Sequence, residues 1–142
     1  MSVIDRFTQL YQDISNLDCD ELGSLYADDI TFIDPVTQHH GLDNVKRYFS
    51  RLLKDTHACT FTIHDIINCQ ENQSHVDYIV NWSMVLTLKQ GSKPIIVDGT
   101  SQLKLREDKI FYHRDYYDLG QMVYEHVPIL RSVVGYIKGR LK

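Results

Sequence analysis

The chain has 142 residues, 43% of them hydrophobic and 24% charged, with a formal net charge of −4; that is one domain's length, able to bury a core without disulfides or a structural metal. Acidic and basic residues are interspersed with no basic stripe, so a nucleic-acid partner is not expected. Cys19, Cys59 and Cys69 form no CxxC pair and read as free thiols in a reducing, cytoplasmic setting; with no signal sequence and no apolar run of spanning length, no membrane partner is expected.

Ser2 followed by Val3, Ile4, Phe7, Leu10, Tyr11 and Ile14 at helical spacing predicts a capped amphipathic helix. The stretch from Asn16 to Asp20 breaks it. A second short helix is expected with Leu22, Leu25 and Tyr26 on one side, then a short strand from Ile30 to Asp34, ended by Pro35. Gly41 and Asp43 open a third helix with Val45, Phe49, Leu52 and Leu53 inward. The apolar period then changes from helical to alternating. Four strands are predicted: Cys59 to Cys69, His75 to Leu88, Ile95 to Arg106 and Ile110 to Tyr117. Polar turns separate them at Glu71-Asn72-Gln73, Gln90-Gly91-Ser92 and Glu107-Asp108-Lys109. Sequential strands on short turns pair antiparallel.

Pro128 begins a closing amphipathic helix with Ile129, Val133, Ile137 and Leu141 as its stripe. It is expected to cover a pocket mouth or a partner subunit, and its few basic residues weigh against a membrane surface. The element order gives an α+β fold. A cone-shaped, curved antiparallel sheet wraps around three N-terminal helices, as a single domain over 1–142.

The segment Leu25-Tyr26-Ala27-Asp28-Asp29-Ile30-Thr31-Phe32-Ile33-Asp34-Pro35, continued by His40-Gly41, resembles the second helix and first strand of the nuclear transport factor two-like superfamily. Ketosteroid isomerases, SnoaL-like polyketide cyclases and limonene epoxide hydrolases belong to it. Ser101 to Leu105, Lys109-Ile110 and Arg114 to Leu119 resemble the final strands of the epoxide hydrolase. The resemblance implies the cone fold and an internal pocket. It places Asp34 at the isomerase's general base, Tyr11 near its oxyanion tyrosine, and Ser101 where that enzyme keeps a protonated aspartic acid. Asp115 matches the hydrolase's second aspartate. Asn81 and Ser83 stand where its arginine and first aspartate belong, so two of three triad positions are absent and that mechanism is not expected.

Strand alternation puts Val97, Gly99, Ser101, Leu103 and Leu105 on one face, and Phe111, His113, Asp115 and Tyr117 on another. The resemblance turns both inward. The expected site is therefore Asp34, Asp115, Tyr11 and His113 as catalytic groups, with Tyr117, Ser101, Asn81, Phe32 and Gly99 as walls around a small apolar ligand. Two carboxylates in an apolar cleft each favour protonation of one of them, which suits isomerase-, cyclase- or hydratase-like acid–base chemistry without a cofactor. Against this stand plainer readings. Asp34 can bond backbone amides beside Pro35, Asp115 can be a satisfied core carboxylate, and the whole can be a non-catalytic binding or interaction module. His39-His40 with Asp34 has no fixed ligand spacing, so no metal is expected.

The strand from His75 carries Val76, Tyr78, Val80, Trp82, Met84, Leu86 and Leu88 on one face and Asp77, Asn81 and Ser83 on the other. With Asn81 turned to the cavity, the Trp82 row faces outward, and its burial implies a homodimer through that face. A register shift at a bulge would instead turn the row inward.

Overall fold

The computed structural model describes residues 1–89, 93–122 and 128–142, with side chains of 1–89, 93–122 and 132–142. The predicted turn at Gln90-Gly91-Ser92 and the side chain of Ile129 lie outside the described residues. Helix α1 (Val3–Gln12) starts as its sequence dictates: the Ser2 hydroxyl accepts the Asp5 amide, and the Asp5 carboxylate accepts the Ser2 amide, both at 3.2 Å. This reciprocal cap satisfies two donors that a helix start leaves open. Val3, Phe7 and Tyr11 form its buried face. Two 3₁₀ segments follow, Ile14–Asn16 and Cys19–Ser24.

The second of these stands where a second short helix is expected and buries Leu22, but it ends at Ser24, and Tyr26 belongs to the next strand. The helical spacing of Leu22, Leu25 and Tyr26 is overridden by pairing at long range. The Leu25 carbonyl accepts the Ile110 amide at 2.9 Å, and Tyr26 pairs with Ile110. Strand β1 therefore runs from Tyr26 to Ile33, and a short β2 (Gln38–His40) folds back on it. Helix α2 (Leu42–Lys54) buries Val45 and Phe49. Four long strands follow: β3 (Thr56–Asn68), β4 (Tyr78–Leu88), β5 (Ile95–Arg106) and β6 (Lys109–Tyr117). A short α3 (Leu119–Met122) and α4 (Pro128–Arg140) close the chain. Strand β4 starts later than His75 because that residue sits in a turn with φ +59°, a conformation no strand residue adopts.

The six strands form one curved, open sheet in the order β2-β1-β6-β5-β4-β3, with α1 and α2 packed on its concave side. The meander is antiparallel throughout, but β1 joins β6 in parallel. The sheet is thus mixed rather than wholly antiparallel. A slip between Lys104 and Leu105 brings Ile110, not Phe111, into the core.

Strand β4 corrects the expected facing. Val80, Trp82, Met84 and Leu86 are buried in the core, while Asn81 and Ser83 lie on the convex face, bonded to Asp65, Thr100, His64 and Asp98. The apolar row goes inward because that removes the most apolar area from water. Strand β3 bulges between Ile63 and Asp65. The face that carries Trp82 is the protomer's own interior, so the burial of this row does not call for the homodimer expected from it.

Gly99 pairs with Trp82 across β4 and β5. A β-carbon at Gly99 would lie 2.3 Å from the indole ring, so only glycine leaves room for it. Gly99→Ala is expected to lower the stability in urea denaturation by about 1–3 kcal/mol, the usual cost of overpacking a rigid core group. An unchanged midpoint would contradict this packing.

Candidate functional site

Inside the cone lies a cavity of about 70 Å³, lined by Tyr11, Phe32, Asp34, Tyr48, Phe49, Phe61, Trp82, Met84, Asp115, Tyr117 and Met122, among other apolar groups. Beside it, against Ser101 and Asp115, is a void of about 10 Å³, close to the size of one water. A cavity of about 150 Å³ takes benzene, so a ring-sized ligand needs a wall to move. Met84 and Met122 are unbranched and adapt readily.

Each predicted residue has a definite place. Asp34 and Asp115 border the same cavity, from β1's end and from β6. Tyr11, Phe32 and Tyr117 line it. Ser101 lines the smaller void. His113 is buried behind Asp115 and touches the carboxylate rather than the cavity. Two residues leave the set. Asn81 is on the outer face, because β4 turns its apolar side inward. Gly99 is covered by Trp82 and gives the indole its space instead of walling the cavity. Tyr48, Tyr26 and Trp82 were not foreseen as site groups. Tyr48 follows Val45 by three residues on α2, so its inward direction was present in the helical spacing.

The two carboxylates differ in how they are held. Asp34 Oδ1 accepts the amides of Val36 and Thr37 at 2.8 and 2.9 Å, and Oδ2 accepts the Tyr48 hydroxyl at 2.6 Å. This is an aspartate turn after a strand, fixed by Pro35, and both oxygens are engaged. His39 stacks on Tyr48 at 4.4 Å, while His40 turns to Thr31 and Gln38. The two histidines therefore do not converge on Asp34.

Asp115 is held by one oxygen. Its Oδ1 accepts the Ser101 hydroxyl at 2.5 Å and His113 Nε2 at 2.6 Å. Among the described residues, Oδ2 has no hydrogen-bond partner. Ser101 Oγ in turn accepts Trp82 Nε1 at 2.8 Å. On the other side, His113 Nδ1 lies 2.7 Å from the Tyr26 hydroxyl, which lies 2.8 Å from that of Tyr11. An ionised carboxylate only accepts, so His113 donates to it from Nε2. With a neutral imidazole the remaining directions follow: Nδ1 accepts from Tyr26, and Tyr26 accepts from Tyr11. The chain of donors from Tyr11 ends on Asp115, and both its ends border the cavity.

Burial holds the phenols of Tyr11 and Tyr26 well above their ordinary range, and the negative charge of Asp115 adds to this. Tyr48 is raised by burial and then by Asp34, and Tyr117 by burial and then by both aspartates. All four therefore stay protonated donors at neutral pH. Among the described residues the Tyr117 hydroxyl has no partner of its own, so it can serve a ligand. Burial also pushes the Cys59 thiol up to about 11, which keeps it unreactive.

These shifts have one sign. The unfolded chain releases the thiol proton near pH 9 and the phenol protons near pH 10, whereas the folded chain keeps them. Unfolding thus releases protons, and stability falls as pH rises above about 9. Tyr11 and Tyr26 each remove about 1.4 kcal/mol per pH unit above the unfolded phenol value. Urea midpoints are expected to be flat between pH 7 and pH 8.5 and to drop steeply by pH 10.5; an unchanged midpoint would refute the buried, protonated arrangement.

The comparisons agree with this architecture. The family model of the SnoaL-like domain matches residues 7–113. A nuclear transport factor two-like protein of unknown function from Exiguobacterium sp. 255-15 superposes with a TM-score of 0.71 at 22% identity, over 82% of this chain and 98% of that one. A protein of ketosteroid isomerase-like fold from Catenulispora acidiphila, solved with trimethylamine, gives 0.69 at 19% identity, over 82% and 88%. An LEH-like epoxide hydrolase of M. tuberculosis gives 0.65 at 16% identity, over 96% and 93%. No curated protein sequence matches significantly. Likeness at these identities carries the fold and leaves the reaction to the site, but the family match spans most of the chain: the protein belongs to the SnoaL-like domain family, on the nuclear transport factor two-like cone fold.

Proposed function

We propose that the cavity performs proton transfer on a small apolar molecule bearing one polar oxygen, as an isomerase-, cyclase- or hydratase-like enzyme. The observation that carries this reading is the asymmetric hold on Asp115. Ser101 and His113 fix Oδ1, and the carboxylate borders an apolar cavity. A carboxylate so fixed loses no freedom on meeting a ligand C–H or O–H, and its apolar surroundings strengthen the encounter. Asp115 is then the general base. Tyr117 donates to the oxygen on which negative charge develops. His113 stays a positioning residue.

Asp34, expected from the resemblance to be the base, is less suited. Three hydrogen bonds already engage both of its oxygens, whereas Asp115 keeps Oδ2 without one among the described residues. Its role in this reading is to hold Tyr48 and the β1–β2 turn that shape the cavity. Epoxide opening by a three-residue set, as in the hydrolase this chain resembles, is not favoured either, since Asn81 faces away from the cavity.

The test requires no knowledge of the natural substrate. Exchange of the α-protons of cyclopentanone in D₂O, followed by proton NMR, reads general-base strength directly. The wild-type protein should accelerate it over free acetate at equal pH, Asp115→Asn should abolish the acceleration, and Tyr117→Phe should reduce it by about 10-fold to 100-fold. Asp34→Asn should have a smaller effect than Asp115→Asn. Saturable binding of the ketone without any exchange would make the protein a binding module instead.

A further inference from the structure

The last helix is built to lie on something. From residue 128 to the end the chain carries Arg131, Lys138, Arg140 and Lys142 and no acidic residue. The rest of the chain is correspondingly acidic, at −8 against this +4 in a total of −4. Among the described residues, four large apolar groups of the helix are exposed. Val133 is 50% exposed, Tyr136 65%, Ile137 52% and Leu141 82%, and none of the described side chains from Ser132 onward lines the cavity. The expectation that this helix covers the pocket mouth is thus not met among the described residues. A methyl group on Gly135 or Gly139 would meet no atom within 4 Å, so the helix is clear of the body on those sides as well.

At about 100° per residue, Val133, Tyr136, Ile137 and Leu141 share an arc of roughly 140°. Lys138 and Lys142 fall on the opposite side, and Lys138 leans to Asp118 at 3.9 Å. Arg140 falls within the apolar arc and folds over it, its guanidinium 6.0 Å from the Tyr136 ring centre and bonded to the hydroxyl at 3.2 Å. A helix of 13 residues with two glycines is marginal in water by itself.

We propose that α4 is an interfacial helix that docks the protein on an anionic lipid surface. A segment that carries four cations and no acidic residue of its own complements such a surface. An apolar arc of this width sits at the boundary of headgroups and acyl chains, with long basic side chains reaching back to the phosphates. The helix lies along the bilayer rather than through it, since no helix among the described residues is long and apolar enough to cross. This revises the sequence-based expectation of no membrane partner, which rested on the absence of a spanning run and on the small number of basic residues in this helix, and undervalued the absence of acidic ones. Asp118, beside the cavity-lining Tyr117, holds Lys138, so the side of the helix opposite the apolar arc is turned to the body and the arc is exposed to a surface.

Co-sedimentation of the full-length protein with vesicles tests this. Binding is expected to equal parts phosphatidylcholine and phosphatidylglycerol, with little to phosphatidylcholine alone, and to weaken as salt is added. Arg140→Glu with Lys142→Glu should lower partitioning by about 10-fold or more, and Val133→Ser with Ile137→Ser by a similar factor, while Trp82 fluorescence keeps its native spectrum in both. Absence of binding to either vesicle, or binding that neither pair of substitutions alters, overturns the proposal. So does a result in which the Val133 and Ile137 substitutions dissolve a dimer in sedimentation equilibrium without vesicle binding, which makes a second copy the cover of this helix.

Discussion

Asp115 Oδ1 receives two hydrogen bonds at the centre of a buried line of polar groups, from Trp82 through Ser101 to the carboxylate, and from Tyr11 through Tyr26 and His113 to the same atom. A buried donor or acceptor left without a partner costs about 1–3 kcal/mol, so each member of this line fixes its neighbours. Trp82 points inward because its N–H has Ser101 to meet and because Gly99 leaves its ring room. Tyr26 belongs to the strand that lies beside β6, where it reaches His113. Tyr11 comes from a helix whose start is held by Ser2 and Asp5. Five elements, α1, β1, β4, β5 and β6, contribute to a line that ends on one oxygen atom.

The same cavity holds two carboxylates with separate duties. Asp34 spends both oxygens on its own turn and on Tyr48, and so shapes the wall. Asp115 spends one oxygen on the polar line and borders the apolar space. Burial, and after it charge from both, keeps the surrounding phenols protonated, which supplies hydrogen-bond donors near a potential base. That division follows from local sequence. Asp34 precedes Pro35 at a strand end, where a turn needs an acceptor, whereas Asp115 lies within a strand whose amides are already paired with β5.

Much of this was legible in the chain. The capped first helix, the β5 span from Ile95 to Arg106 and the shared face of His113, Asp115 and Tyr117 follow from period and capping alone; the inward direction of that face came from the family resemblance. The cone and the meeting of Asp34, Asp115 and Tyr11 on one cavity came from the family resemblance. The facing of β4 was lost when an alignment of Asn81 to a catalytic arginine was preferred to the simpler demand that a row of Val80, Trp82, Met84 and Leu86 be buried. Its register partner Gly99 was a signal that a large ring lay opposite. Tyr26 was hidden because its spacing from Leu22 is helical, and only pairing with Ile110, far along the chain, makes it a strand residue. No local pattern could report that His113 stands behind Asp115 rather than beside the ligand.

The direction of the polar line is the central claim, because it makes Ser101 and His113 donors to one oxygen of Asp115. Nitrogen-15 NMR of the His113 ring reads that direction without substrate. At neutral pH the account predicts a neutral imidazole protonated at Nε2, with an unprotonated Nδ1 accepting from Tyr26, and a perturbed ring signal in Asp115→Asn. A ring protonated at Nδ1, or a His113 signal indifferent to Asp115→Asn, would contradict it.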